Sequence, residues 1–220
     1  DFGLYAYALS RFAGVWVGLK TMKDTVEVTS VVNGDPHRLS FVEPEFEMPE
    51  GGLNIRLVDD RHVQEARLTD YKRQAAEAFS YANKMDKEVW SKTGAKIGFV
   101  AAGKNWLDLI HSLSLLNIDE DEAKRIGLST YKIGQTWPLD MKGFNEWAAD
   151  LDLIVVVEEK RKLIEVQIKE ALFDNPKRAR VYGEKRDGKE LFPVRGALDP
   201  MMIAQNLGDI LLDEGCSTSG

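Results

Sequence analysis

The sequence predicts an α/β protein built around an open, mainly parallel, Rossmann-like sheet. Two short runs, 96–105 and 151–159, are rich in β-branched and aromatic residues, end abruptly in polar residues and pass into helical patterns. Apolar runs of this kind, bounded by helices, are typical of strands that are covered on both faces. Strand and helix patterns then alternate with short connections, which favours a parallel sheet with right-handed crossovers.

Residues 1–58 are predicted to form a partial α/β lead-in followed by a linker. Residues 1–11 have helical spacing, and 15–19 have the composition of a buried strand. Residues 25–32 and 37–46 are predicted as further strands, separated by the turn Asn33-Gly-Asp-Pro. We expect the lead-in to be half of a larger α/β unit.

The remaining chain is predicted as three parts, 59–92, 93–214 and 215–220. The first is a connecting helical segment, either one amphipathic helix or two that break near Leu68. The second is the α/β domain, with strands at 96–101, 129–133, 153–157 and 178–182 and helices at 106–116, 141–149, 163–172 and 201–212. Asp199 and Pro200 are the expected cap and first residue of the last helix. The third part is a flexible tail that exposes the thiol of Cys216.

The composition excludes several classes of protein. The chain has 220 residues, a hydrophobic fraction of 44% and a net charge of −7, which fits a globular fold and argues against a nucleic-acid-binding surface. No apolar run reaches the ~20 residues of a membrane span. A single cysteine excludes an internal disulfide framework and a Cys-ligated iron–sulfur cluster within this chain.

The segment Gly98–Asn105 reads Gly-x4-Gly-Lys, the pattern of a phosphate-binding loop. Asn105 stands where Ser or Thr would hold Mg²⁺, and Phe99 and Val100 have the character of a strand interior. We therefore predict that Gly103 is a turn residue and that Asn105 caps the following helix. A nucleotide-binding protein with a degenerate phosphate loop at Gly98–Asn105 stays open as an alternative.

Glu158 and Glu159 follow a predicted strand at its carboxyl end, where open α/β sheets place functional groups. The two acids could act as an acid/base pair, form an interface ion pair with Lys160 and Arg161, or lie in a solvated loop. No histidine or nucleophile lies near them in sequence, which favours the interface. We predict an inter-domain surface that includes Trp137, Glu158, Glu159 and Lys160.

No residue is predicted to be catalytic or to bind a metal. His37, His62 and His111 have no spacing typical of metal ligands. The chain also has no Gly-x-Ser-x-Gly elbow and no cysteine–histidine pair. A non-enzymatic interaction module, in which an exposed segment 2–19 binds a partner, is therefore a further alternative.

Several segments, in their order along the chain, resemble the fused bacterial indolepyruvate ferredoxin oxidoreductases, a branch of the thiamine-dependent 2-oxoacid:ferredoxin oxidoreductases. Two of them read Pro-Glu-Gly-Gly-Leu-Asn-Ile-Arg at 49–56 and Thr-Trp-Pro-Leu at 136–139. The others are 8–20, 24–27, 64–67, 70–72, 102–104 and 157–161. Together they span nearly the whole chain.

This resemblance implies that residues 1–58 are the tail of the domain that contacts the thiamine pyrimidine ring. Residues 93–214 would then form a transketolase C-terminal-like domain. The family's Mg²⁺/diphosphate domain, its cluster cysteines, its γ-type domain and its activating glutamate have no counterpart here. The chain is accordingly expected to be an internal fragment that binds no cofactor itself.

The parent enzyme implied by the resemblance decarboxylates an aryl pyruvate on thiamine diphosphate with Mg²⁺. It passes electrons through an iron–sulfur cluster to ferredoxin and releases an acyl-CoA, with CoA as co-substrate. Such an enzyme is expected to be cytoplasmic and homo-oligomeric. The partners of this chain would be the remaining domains of that enzyme, with neither nucleic acid nor membrane involved.

Overall fold

The computed structural model describes residues 1–216, which divide into a first compact unit, Asp1–Lys84, and a second that begins at Met85. The division at 1–58, 59–92, 93–214 and 215–220 stays a prediction, and the last four residues of the predicted tail lie outside the described residues.

The first unit is helical. Its elements are α1 (Phe2–Ala13), α2 (Lys23–Val26), a 3₁₀ turn (Pro36–Arg38), α3 (Arg61–Arg67), a π turn (Leu68–Lys72) and α4 (Arg73–Ala82). Helix α1 packs on α4, where the ring centroids of Tyr5 and Phe12 lie 5.4 and 5.3 Å from that of Phe79. The π turn at Leu68 explains the interruption in the helical periodicity of this region.

A left-handed glycine ends helix α1. Gly14 has a φ of 65°, and a Cβ at this position would lie 2.2 Å from the carbonyl oxygen of Leu53, so only glycine fits without a rearrangement. The Nζ atom of Lys72 donates to the Gly14 carbonyl at 2.8 Å. A buried cation therefore lies beside the negative end of the helix dipole.

The strands predicted at 15–19, 25–32 and 37–46 are wrong. These residues are irregular apart from α2 and the 3₁₀ turn, and Trp16 and Val31 are almost completely exposed. Strand propensity is realised only when a segment pairs with a neighbour and buries one face, and residues 1–84 contain no strand to pair with.

The second unit contains the predicted sheet. Its strands are β1 (Lys87–Trp90), β2 (Ile97–Ala102), β3 (Leu128–Ile133), β4 (Leu153–Val157) and β5 (Arg180–Tyr182), in the spatial order β1-β3-β2-β4-β5. All neighbours are parallel except β1, which runs antiparallel to β3 with a bulge between Glu88 and Trp90. The α/β fold class is confirmed. The prediction of a helical segment over 59–92 is wrong at its C-terminal end, because strand β1 lies there.

Five helices cover the two faces of the sheet. They are α5 (Gly103–Leu115), α6 (Glu120–Ile126), α7 (Met141–Ala148), α8 (Ile164–Leu172) and α9 (Pro200–Asp213). Phe99 and Val155 belong to a core formed with α5, α6 and α9, whereas Val100 and Val156 belong to a core formed with α7 and α8. Alternate residues of each central strand thus point to opposite cores, as expected of a doubly covered parallel sheet.

A two-stranded hairpin, β6 (Lys185–Arg186) and β7 (Lys189–Glu190), surrounds the turn predicted at 186–189. Cys216 is not an exposed thiol, because its backbone N–H donates to Leu211 and its side chain lies half-buried with Sγ 3.6 Å from the carbonyl oxygen of Ile126. Across residues 1–216, every helix is too short or too polar to cross a lipid bilayer.

Candidate functional site at the carboxyl edge of the sheet

The chain reverses its winding direction between the central strands β2 and β4. After β2 the chain enters α5 on one face of the sheet, and after β4 it enters α8 on the other. Ala101 pairs with Val157, so Gly103 and Glu159 each follow two residues later at adjacent strand ends. Open α/β sheets bind ligands at such a topological switch point, and most of the residues predicted from sequence lie at this edge.

Glu158 caps helix α8. Its carboxylate accepts hydrogen bonds from the backbone N–H groups of Leu163, Ile164 and Glu165 at 2.9 to 3.3 Å. Burial raises the pKa of the Glu158 carboxyl, and these N–H donors partly oppose that shift. The predicted ion pair with Lys160 or Arg161 is not found among the contacts of residues 1–216. The Glu158 carboxylate instead satisfies the otherwise unpaired donors of a helix N-terminus.

Glu159 turns away from Glu158 and contacts the segment that leads into α9. Its Oε2 atom accepts from the backbone N–H of Leu198 at 3.0 Å. Lys104, at the start of α5, donates to the carbonyl of the same residue at 3.5 Å and forms an ion pair with Asp108 at 2.6 Å. The side chains that follow β2 and β4 therefore hold the same peptide segment in place.

Trp137 lies on the loop after β3, next to helix α8. The side chain of Gln167 donates to the carbonyl of Thr136 at 3.0 Å and accepts from the N–H of Leu139 at 3.2 Å, which fixes the loop on the helix. Trp137 precedes a cis proline and is 61% exposed. Trp137 and Glu158 thus both lie at the N-terminal end of α8.

Lys160 is exposed and has a φ of 65°, so the chain turns sharply after Glu159. Leu163 and Val166 are also partly exposed, at 43% and 48%, on adjacent turns of the start of α8. We use the name Trp137 surface for these two exposed side chains and for Trp137, which lies on the loop that Gln167 of the same helix binds.

Asp86 is a buried residue that sequence reasoning missed. Its Oδ1 atom accepts from the N–H groups of Gly134 and Gln135 at 2.8 and 2.9 Å, and its Oδ2 accepts from that of Asp140 at 3.2 Å. Burial raises the pKa of Asp86 to about 6 against the opposing effect of these donors. Asp86 lies where a helix was predicted, so no local pattern marks it.

Two further buried groups lie beside Asp86. Asp140 caps α7 by accepting from the N–H of Gly143 at 2.9 Å, a role that its position before a helical pattern signals. Burial raises the pKa of the Tyr131 phenol, and the charge of Asp86 raises it further. Asp86 and Asp140 both bond to backbone donors, so these carboxylates stabilise the loop that carries Trp137.

The phosphate-loop interpretation of Gly98–Asn105 conflicts with the backbone. Strand β2 continues to Ala102 and α5 begins at Gly103, so no loop is left to surround a phosphate chain. Gly98 is a packing residue, since a Cβ there would lie 2.4 Å from the Trp147 ring. The predicted cap at Asn105 is also wrong, because the N-cap of α5 is Ala102 and Asn105 is buried in the first turn.

The described residues contain no group of three or more His, Cys, Asp or Glu side chains that could hold a metal ion. His37, His62 and His111 lie on separate elements, the 3₁₀ turn, α3 and α5. The one cysteine cannot supply the thiolates of an iron–sulfur cluster. The residues present therefore do not fit the metal and cluster that the sequence resemblance implies for the parent enzyme.

Comparison with protein families identifies the second unit. The sequence model of the indolepyruvate oxidoreductase domain matches residues 87–220. The chain belongs to this family. It is therefore an oxidoreductase-family domain. A search of curated protein sequences gives no match.

Solved structures with similar folds include a 2-oxoacid:ferredoxin oxidoreductase and two transketolases. A 2-oxoglutarate:ferredoxin oxidoreductase from Magnetococcus marinus, with 2-oxoglutarate, coenzyme A and succinyl-CoA bound, is 11% identical with a TM-score of 0.47 over 80% of this chain and 27% of its own. A split-gene transketolase, described as an inactive β4 tetramer, is 15% identical with a TM-score of 0.41 over 57% of this chain and 41% of its own. The H261F transketolase mutant from Pichia stipitis is 15% identical with a TM-score of 0.36 over 64% and 20%. The chain thus spans less than half the length of each.

Proposed function

We propose that this chain is a structural, inter-domain part of a thiamine-diphosphate-dependent indolepyruvate:ferredoxin oxidoreductase and contributes no catalytic residue. The parent enzyme converts an aryl pyruvate to an acyl-CoA and reduces ferredoxin. Its thiamine diphosphate, Mg²⁺ and iron–sulfur cluster are held by other parts of that enzyme, which is cytoplasmic and homo-oligomeric. The family match over residues 87–220 supports the oxidoreductase class.

One observation carries the non-catalytic assignment. The acids at the carboxyl edge of the sheet accept hydrogen bonds from backbone N–H groups. Glu158 caps α8, Glu159 accepts from Leu198, and Asp86 accepts from three N–H groups of the β3–α7 loop. A general acid or base needs a carboxyl group that can reach a substrate proton. The positions of these carboxylates instead support a role in shaping a docking surface.

The Trp137 surface is the part of this edge best suited to contact other domains of the parent. Exposed tryptophan side chains are typical of the centre of protein interfaces, where the surface is more apolar than elsewhere. The loop that carries Trp137 is held by Gln167 and Asp86, so the ring is presented on a supported backbone. Lys160, exposed after β4, provides a charge at the same edge of the sheet.

Viologen reduction tests the proposal in two preparations. The full-length protein that contains this chain is assayed with indolepyruvate, CoA, thiamine diphosphate and Mg²⁺, and the isolated chain is assayed in parallel. We expect activity only in the full-length protein. Activity of the pure chain would contradict the non-catalytic assignment, and an inactive, cofactor-loaded full-length protein would contradict the reaction.

A protein-interaction role for this chain, through segment 2–19, is the second candidate. The exposure of Phe2, Leu4, Tyr7, Trp16 and Leu19, from 45% to 97%, favours a partner for segment 2–19. Sedimentation of the isolated chain over a range of concentrations tests this. A monomer at every concentration contradicts self-association through this segment, and a concentration-dependent dimer supports it.

A further inference from the structure

An asparagine in the irregular part of the first unit combines an accessible side-chain amide with an unhindered peptide nitrogen. Asn33 and Gly34 are both exposed and belong to no helix or strand. Of the asparagines in the sequence, only Asn33 precedes a glycine. Asparagine is a thermolabile residue, because its side-chain amide can lose ammonia, and the following residue decides how easily this happens.

Gly34 leaves its peptide nitrogen free to approach the Asn33 side chain. A Cβ at Gly34 would meet no atom within 4 Å, so no neighbouring element covers this peptide. Among residues 1–216 the Gly34 N–H donates to no acceptor. Glycine also reaches backbone conformations that other residues avoid, which lets the peptide rotate towards the side chain. The Gly34 nitrogen can therefore attack Cγ of Asn33 without displacing any packed group.

A hydrogen bond holds the Asn33 side chain against the backbone that follows it. Its Oδ1 atom accepts from the backbone N–H of Asp35 at 3.0 Å, the arrangement of an Asx turn. This donor polarises the amide carbonyl, and it stabilises the negative charge that develops on Oδ1 when a nucleophile adds to Cγ. The turn thus provides a donor for the oxyanion that such an addition forms.

We propose that Asn33 is a site of spontaneous covalent modification, at which the Gly34 nitrogen closes a succinimide ring. The bond between Gly34 N and Asn33 Cγ forms and the bond between Cγ and Nδ2 breaks. The side-chain nitrogen leaves as ammonia with the proton that the Gly34 N–H gives up. Water then opens the ring at either carbonyl, so the products are aspartate and isoaspartate at position 33.

Both products change the charge of this segment, and one of them changes its backbone. Aspartate and isoaspartate each add a negative charge, and isoaspartate also lengthens the main chain by a methylene group. The reaction consumes only water and needs neither an oxidant nor a cofactor. This inference does not depend on the proposed function.

Incubation of the chain in H₂¹⁸O at neutral pH and physiological temperature tests the proposal. Peptide mapping by mass spectrometry locates the labelled carboxylate and separates aspartate from isoaspartate. We expect both products at Asn33. Asn54 and Asn175 are exposed internal controls, and Asn175 precedes Pro176, which has no N–H for ring closure. At Asn54 the β-branched Ile55 hinders the peptide, so labelling should be at least about tenfold slower.

Two substitutions test the part played by Gly34. Gly34→Ala should slow ring closure about tenfold, which corresponds to about 1.4 kcal/mol in the barrier, because a Cβ restricts the rotation of the attacking peptide. Gly18→Ala makes the same change at another exposed glycine with no atom within 4 Å of its Cβ, and should leave the rate unchanged.

Three results would overturn the proposal. The first is an absence of label at position 33 in the wild-type chain, a readout that requires no variant to fold. The second is equal labelling of Asn33 and Asn54, which would show unspecific hydrolysis. The third is a rate at Asn33 that rises more than about tenfold when guanidinium unfolds the chain, since the native turn would then hinder the reaction. A folded rate equal to or above the unfolded rate supports the role of the Asp35 donor.

Discussion

Both carboxylate oxygens of Glu158 lie 3.0 Å from the backbone nitrogen of Ile164. The acid that follows the central strand β4 therefore completes the next helix of the same crossover. This relationship links the predicted interface residue to the stability of the domain, and it makes the role of Glu158 measurable in the isolated chain.

Glu158→Ala should lower the free energy of unfolding by about 1 to 2 kcal/mol, because the first turn of α8 loses its capping acceptor. Urea denaturation followed by circular dichroism measures the change. Glu170→Ala, an exposed acid near the end of the same helix, is the control and should change stability by less than about 0.5 kcal/mol. Equal effects of the two substitutions would rule out the capping role.

Asp86 should make the chain more stable as the pH falls through 6. Its pKa is about 6 in the folded state and near 3.8 when unfolded, so between these values the folded state binds the proton and the unfolded state does not. The gain between pH 7 and pH 4 is about 2.4 kcal/mol, at roughly 1.4 kcal/mol per pKa unit, because at pH 4 part of the unfolded chain is still ionised. Urea midpoints measured at several pH values give this curve.

The Asp86 contribution is isolated by subtracting the curve of Asp86→Asn, which retains an oxygen for the Gly134 and Gln135 donors but does not titrate. Asp150→Asn changes an exposed acid and serves as the control. A difference curve that is flat between pH 4 and pH 7 would show that Asp86 titrates normally.

Gly98→Ala should destabilise the chain by about 1 to 3 kcal/mol, because the added methyl group overlaps the Trp147 ring and the Leu151 side chain. Gly208→Ala is the matched control within α9, where the nearest atom, in Leu116, lies 3.4 Å from the new Cβ. There the helical propensity of alanine should stabilise by roughly 0.5 to 1 kcal/mol. Thermal denaturation distinguishes destabilisation at position 98 from stabilisation at position 208. An unchanged melting temperature for Gly98→Ala would contradict the packing role.

Trp137→Ala should leave the free energy of unfolding of the isolated chain within about 0.5 kcal/mol of the wild type, since most of the ring is exposed. In the full-length protein the same change should weaken domain assembly and lower the rate of viologen reduction.

Trp147→Ala is the contrasting variant, because Trp147 is 2% exposed and donates to Ser129 Oγ. This substitution should lower the free energy of unfolding by about 3 to 5 kcal/mol. An unaltered full-length enzyme with alanine at 137 would argue against the Trp137 surface.

The sheet could be predicted because its central strands carry their own signal. β4 reads Leu-Ile-Val-Val-Val, and burial on both faces leaves no room for polar residues in such a run. The edge strand β1 was missed, since Lys-Glu-Val-Trp has no apolar run and follows a helical pattern. The short helix α6 was missed as well, although Asp119 and Glu122 have the spacing of a capping box at its start.

At the candidate site, the places of the residues in the fold were predicted better than the contacts that they make. The sequence indicated that Glu158 and Glu159 end a strand, and the structure places them there. Their partners, Ile164 and Leu198, depend on how the chain turns after Lys160 and on where α9 begins, which no local pattern specifies. The strand predicted at 15–19 failed for the same kind of reason, because its composition is informative only when a neighbouring strand exists.

The two edges of the second unit's sheet also limit how another protein can bind it. On one side β1 has a bulge at Val89, and on the other β5 is three residues long, with Arg180 paired to Glu214. An incoming peptide that extends a sheet by β-augmentation needs a long, flat row of free backbone groups. Neither edge offers such a row, so intermolecular strand pairing and edge-to-edge aggregation of this unit are disfavoured. A partner must instead recognise side chains on its helices and loops.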